Sequence, residues 1–167
     1  MTNDVRSAGS GPVRLATSDD VGALVGLMQT FYAESGYPLP AQQAARTFER
    51  LIAAPQLGAV WLMTADGVPA GFIVLTVAFS MEYGGLRGFI DDLFVDPRHR
   101  NRGLASAGLA AVRRACDERG VRALLVETSL DNEPAVRVYR RAGLAESGRL
   151  LMTMPLATPV HETDPVA

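Results

Sequence analysis

The chain has 167 residues, which favours a single domain, and its 48% hydrophobic content is enough for a sizeable core. A net charge of −2 argues against nucleic acid as the main partner, because neutralising phosphates needs an excess of basic charge. Every basic side chain is an arginine, which excludes a lysine Schiff base and a phosphate-loop lysine; the single cysteine, Cys116, excludes an internal disulfide and fits a reducing compartment.

No run reaches the roughly 18 apolar residues of a membrane span, and no basic stretch followed by an apolar one opens the chain. A soluble cytoplasmic protein is the expectation. Residues 1–11 are small and polar and read as a flexible tail. Val13 and Leu15 flank Arg14 in a short strand. Thr17 or Ser18 then caps a helix with Asp19 and Asp20 in its first turn, as the helix dipole prefers. Val21, Leu24, Val25, Leu27, Met28 and Phe31 recur at helical spacing. Gly36, Pro38 and Pro40 break that helix, and a second runs over residues 41–53.

The period then changes. Residues 59–64 read as a strand, Asp66-Gly67 as a hairpin turn, and 70–79 as a longer strand apolar on both faces, suited to the middle of a covered sheet. Gly84-Gly85 leads into a strand over 86–95. A helix follows over 103–119, closed by Gly120 in the favoured C-terminal position. Residues 123–128 form another strand. Asn132 caps a short helix with Pro134 in its first turn. A last strand is expected over 144–154, and 157–167 is a polar tail. The order is β-α-α-β-β-β-α-β-α-β: one α/β domain over residues 12–156, with a mixed, mostly antiparallel sheet.

The stretch from Phe89 to Ala105, FIDDLFVDPRHRNRGLA, concentrates the chemistry. It runs from an apolar strand through a basic turn into a helix N-terminus. Four N–H groups lack partners at a helix start, and the dipole adds partial positive charge there. With Arg98, Arg100 and Arg102 beside it, this is a place for a phosphate. The basic turn could equally be a solvated surface run. A Walker loop needs a lysine, and the dinucleotide fingerprint G-x-G-x-x-G is absent from this corner.

The run LFVDPRHRNRGLA resembles the acetyl-CoA signature of the GNAT N-acetyltransferases, [RQ]-x-x-G-x-[GA], led in by Val95 and Pro97. A second segment, Asn132-Glu133-Pro134-Ala135 through Tyr139-Arg140-Arg141 to Gly143, resembles the family's N-x-x-A-x-x-x-Y-x-x-x-G element. The narrower likeness is to polyamine-type and uncharacterised bacterial members. The resemblance implies a GNAT fold with a sheet of six or seven strands and four helices. It also implies acetyl-CoA as co-substrate, its diphosphate on the backbone of Arg100, Asn101, Arg102, Gly103, Leu104 and Ala105. Leu93, Phe94 and Val95 would pair with the pantetheine amides as with an added strand. Asn132 would reach the pantetheine arm, although a helix cap accounts for it equally.

On the same resemblance Tyr139 is the general acid that protonates the departing thiolate; a packing tyrosine is the plain alternative. Asp91 and Asp92 stand in an otherwise apolar strand, where carboxylates are costly unless partnered. Strand alternation would send them to opposite faces. Asp91 matches the family position of a base acting through water, and Asp92 could hold an arginine. Tyr32, Glu34, Tyr37, Met81, Glu82 and Tyr83 fall where the family builds its acceptor pocket; carboxylates and rings suit a cationic amine. His99, His161 and Cys116 read as surface or packing residues, and no metal is called for. The expected function is transfer of acetyl to a primary amine of a small molecule or peptide, and the resemblance also allows a homodimer whose final strands exchange or pair. The rival is a non-catalytic acyl-CoA sensor on the same fold.

Overall fold

A computed structural model describes residues 11–34, 36, 37, 39–129, 131–154 and 156. The expected tails at 1–11 and 157–167, with His161, lie outside the described residues apart from Gly11. Five strands form one sheet in the order β1-β2-β3-β4-β5: β1 (Val13–Leu15), β2 (Gly58–Ala65), β3 (Val68–Ser80), β4 (Gly85–Val95) and β5 (Ala123–Val126). The first four are antiparallel neighbours, and β5 joins β4 in parallel. The helices are α1 (Val21–Glu34), α2 (Ala41–Ile52), α3 (Leu104–Glu118) and α4 (Glu133–Arg141). The fold class is as expected. The strand count is a correction: residues 144–154 form no strand among the described residues, so the sheet has five strands rather than six or seven.

β3 is apolar on both faces because both are covered. Phe72 and Val74, with Val60, Leu62 and Phe94, meet α1 and α2 through Leu24, Leu27, Met28, Ala44 and Phe48. Ile73 and Leu75, with Trp61 and Ile90, meet α3 through Leu109 and Val112 and α4 through Tyr139. Gly108 lets α3 come close: a Cβ there would stand 3.0 Å from the Met63 sulfur and 3.4 Å from Ile73. The rings of Phe31 and Phe94 stack at 5.3 Å, with Phe72 at 6.1 Å from Phe94, so the last turns of α1 are keyed to β4.

The entry to α1 is tighter than a simple cap. Residues Ser18–Asp20 form a single 3-10 turn, and Asp20 is buried. Its carboxylate takes two guanidinium bonds from Arg14, each 2.7 Å, and the Thr17 backbone N–H at 2.8 Å. Arg14 thus ties β1 to α1, and its bonds hold Asp20 down at about 2, below its ordinary 3.8. Asp20→Ala should lower stability by about 1–2 kcal/mol, discounted because Arg14 is partly exposed. Because the folded carboxyl is the stronger acid, this contribution is present above pH 3.8 and fades as pH falls towards 2. Thermal melts of the two proteins should therefore differ at pH 7 and converge in strong acid.

Candidate active site

The pairing register places an irregularity at the acidic pair. Leu93 and Asp92 face Ile73 and Val74, but Leu75 faces Ile90, so Asp91 is an extra residue in a β-bulge. The bulge interrupts the two-residue period on which the expected alternation of Asp91 and Asp92 rests. Both carboxylates act on the hydroxyl of Tyr32, from the last turns of α1.

The same bulge marks where β4 and β5 part. Their parallel register covers Arg87 to Ile90 against Ala123 to Val126 and ends there. Beyond it, Asp91, Asp92, Leu93, Phe94 and Val95 have no ladder with β5 among the described residues. The β4 edge is left with amide groups for another partner, and an extended amide chain fits it as an added strand would. Asn132 stands at the start of α4. Its Oδ1 accepts the Ala135 N–H at 3.3 Å, so it is a cap, and its amide nitrogen remains available.

Past Val95 the chain makes a short 3-10 turn, Pro97–His99, then Asn101 at φ 61° and Gly103 at φ 78°, and α3 begins. Left-handed residues thus stand on either side of Arg102, just before a helix start, where backbone N–H groups lack intrahelical partners and favour an anion. Each arginine of the turn holds a carboxylate. Arg98 pairs with buried Asp96 at 2.7 Å and keeps its carboxyl well below the usual range. Arg100 donates to both oxygens of Glu34 at 3.0 and 2.8 Å and to the Val95 carbonyl at 2.9 Å, and lies 5.9 Å from the Phe94 ring centre. Arg102 reaches Asp66 of the β2–β3 turn at 2.7 Å. The Glu34 and Asp66 pairs tie the turn to α1 and to the β2–β3 turn, while Arg98 and Asp96 pair within it.

Tyr139 is buried on α4, and its hydroxyl is pushed up to about 12, first by burial and then by the charge of Asp92. Tyr32 is raised to about 12 by burial, then by Asp92 and Asp91. Asp92 is itself raised to about 6, by burial first and then by Asp91. The more open Asp91 is raised by desolvation alone. The charge of Asp92 therefore reaches a tyrosine from each side of the sheet.

Other expected contacts are placed differently. Glu34 is engaged with Arg100, and Glu82 takes both guanidinium nitrogens of Arg149 at 2.7 and 2.8 Å. Tyr83 lines a cavity beside β5, and Tyr37 lines a separate hollow with Gln29 and Leu39. Cys116 is buried under β4, and burial raises its thiol. Sequence reasoning missed the partnership of Glu34 with Arg100, 66 residues apart, which no local pattern signals. The weight on Asp92 was signalled only by two adjacent aspartates in an apolar strand.

A sheet covered on both faces that parts at a bulge, beside a helix start after a basic turn, is the arrangement expected from the resemblance to the N-acetyltransferases. The chain matches the model of the Acetyltransferase (GNAT) family over residues 24–144 and belongs to that family. It is 30% identical to aminoglycoside N(6')-acetyltransferase type 1 of Salmonella typhimurium over 106 residues, 62% of this chain and 72% of that protein. It is 39% identical to the streptothricin acetyltransferase of Streptomyces lavendulae over 87 residues, 50% of this chain and 42% of that protein. An integron cassette protein from the mobile metagenome of Cole Harbour Salt Marsh has the same fold, with a TM-score of 0.84 and 50% identity over 90% of this chain and 94% of that one. Among the described residues no helix is long and apolar enough to cross a membrane.

Proposed function

We propose that this chain acetylates a primary amine of a small, multiply cationic molecule, with Asp92 as proton acceptor and Tyr139 as proton donor. The observation that carries the reading is the end of β4–β5 pairing at the bulge, which leaves an open strand edge beside two carboxylates whose charge reaches the half-buried Tyr32, Asp92 also reaching the buried Tyr139. The pantetheine amides would lie along Leu93 to Val95, and the diphosphate on the N–H groups from Arg100 to Ala105.

An amine enters as an ammonium and is attracted by Asp91 and Asp92, the two carboxylates at the gap that have no arginine partner. Asp92 takes one proton and frees the nitrogen lone pair. The nitrogen attacks the thioester carbonyl carbon, the C–S bond breaks, and Tyr139 protonates the leaving sulfur. The second nitrogen proton restores the phenol, and Asp92 returns the first to water, so one proton is released per amide formed. Asp91 is the second carboxylate of the cluster: it holds the cation and raises Asp92. The relatives named for aminoglycosides and streptothricin support a polycationic acceptor, as does the acid pair.

The test is a panel of aminoglycosides, streptothricin, polyamines and amino acids with acetyl-CoA, scored by release of free thiol. Turnover confined to acceptors with several amines is the expected result. Coenzyme A binding without turnover on any amine would turn the reading towards an acyl-CoA sensor.

A further inference from the structure

The last turn of α1 is held at Phe31 and Glu34, whose spacing puts them on one face of the helix. Phe31 stacks on Phe94 of β4 at 5.3 Å, and Glu34 takes Nη2 of Arg100 on both carboxylate oxygens at 3.0 and 2.8 Å. Arg100 joins the two points. Its Nε donates to the Val95 carbonyl at 2.9 Å, and its guanidinium carbon lies 5.9 Å from the Phe94 ring centre. The end of β4, the turn before α3 and the end of α1 therefore meet at one guanidinium. The Arg100 and Glu34 side chains are 46% and 39% exposed, and an ion pair of that kind adds little to stability. What it fixes is position.

Two features depend on that last turn. The chain leaving α1 folds back on it, with the Gly36 N–H on the Ala33 carbonyl at 3.1 Å and the Tyr37 N–H on the Tyr32 carbonyl at 3.0 Å. The face of β4 beneath it carries Asp92, opposite Val74 and next but one to Phe94, and Val74 and Phe94 both belong to the core under α1. Tyr32, edge-on to Phe31 at 5.5 Å, is the phenol that the charge of Asp92 reaches from this side. Arg100 itself has little left for a ligand. Its Nε and Nη2 are engaged and Glu34 offsets its charge, which leaves Nη1 alone of a fork whose value to a phosphate is two parallel bonds. Backbone N–H groups at a helix start hold an anion without a side chain.

We infer that Arg100 and Glu34 are positioning residues for the acetyl transfer proposed above, and that the Arg100 guanidinium is a strut to α1 rather than a ligand of the coenzyme A phosphates. The strut keeps Tyr32 and the chain after α1 in place beside Asp92, where the amine loses its proton. It therefore governs how the acceptor is seated and leaves the bond-making step alone. The inference rests on the acetyl-transfer reading for its kinetic half, and on coenzyme A binding for the other.

The test compares Glu34→Gln, Arg100→Met, the two together and Arg100→Lys, by steady-state kinetics and by calorimetry with coenzyme A. Methionine keeps a stem over Phe94 and loses the fork; lysine keeps the charge. Each single change should raise the KM for the amine by about three- to five-fold and move kcat by about twofold at most, the scale of a partly exposed pair. The double variant should go no further than either single one, because both remove the same link. Arg100→Lys should behave as Arg100→Met does, since an ammonium lacks the Nε that holds Val95 while the outer nitrogen reaches Glu34. The Kd of coenzyme A should stay within about threefold of the parent in all four. A loss of coenzyme A affinity of about tenfold in Arg100→Met, recovered in Arg100→Lys and absent from Glu34→Gln, would make the side chain a phosphate ligand and overturn the inference. Additive effects in the double variant, or an amine KM unchanged in the single ones, would overturn it too. A parent that turns over no amine would count against the acetyl-transfer reading; the strut is then decided by coenzyme A affinity alone, unchanged in Arg100→Met if it stands and lost if it falls.

Discussion

Tyr139→Phe should leave a folded, cofactor-binding protein whose kcat has fallen by about 10²–10³-fold, the range of a lost general acid. The phenyl ring keeps the packing of a residue that is 9% exposed, so the fold has no reason to change. The hydroxyl, raised to about 12 by burial and by Asp92, keeps its proton throughout any ordinary assay and is available to the leaving sulfur. The departing thiolate is a modest base, which sets the upper limit of the effect. The KM for acetyl-CoA should move little, because the reading assigns binding to backbone groups on β4 and the Arg100–Ala105 turn. Steady-state thiol release with each substrate varied in turn separates the two parameters. A kcat within a factor of two of the parent would remove Tyr139 from the chemistry and make it a packing residue.

The sequence carried the fold because its signals were local: the change from helical to alternating period after residue 53, the Asp66-Gly67 turn, and a β3 apolar on both faces. The helix start after the basic corner was legible for the same reason, since it is a contiguous feature. It did not carry the bulge. A bulge is set by how two strands register against each other, and adjacent aspartates signal only that something in the strand is unusual. Nor did it carry the fate of Glu34 and Glu82. Both look like free carboxylates along the chain, yet each meets an arginine more than sixty residues away. The final strand illustrates the reverse. Alternating Leu150, Met152 and Met154 read as a strand along the chain, but a strand needs a paired neighbour, and none pairs with them among the described residues.

Asp92→Asn should abolish the acidic limb of the pH profile and lower kcat/KM by about 10²-fold, the low end for a lost general base. In the parent, Asp92 titrates at about 6, so kcat/KM should climb through pH 6 as the carboxylate forms. Asp91→Asn is the discriminating comparison. The charge of Asp91 helps hold the Asp92 proton on, so its removal should let Asp92 ionise at lower pH and shift the limb downwards while turnover persists. If Asp91 were itself the base, that variant would lose turnover and the limb together. Stability gives a second, activity-free readout. A carboxyl whose folded pKa is raised favours the fold while protonated, and that support is lost as pH rises from its ordinary 3.8 through 6. The neutral amide of Asp92→Asn escapes this loss, so its Tm should match the parent near pH 4 and exceed it above pH 6. A variant melting below the parent at pH 8 would mean that Asp92 is held by favourable partners, and the assignment of the base would have to return to Asp91.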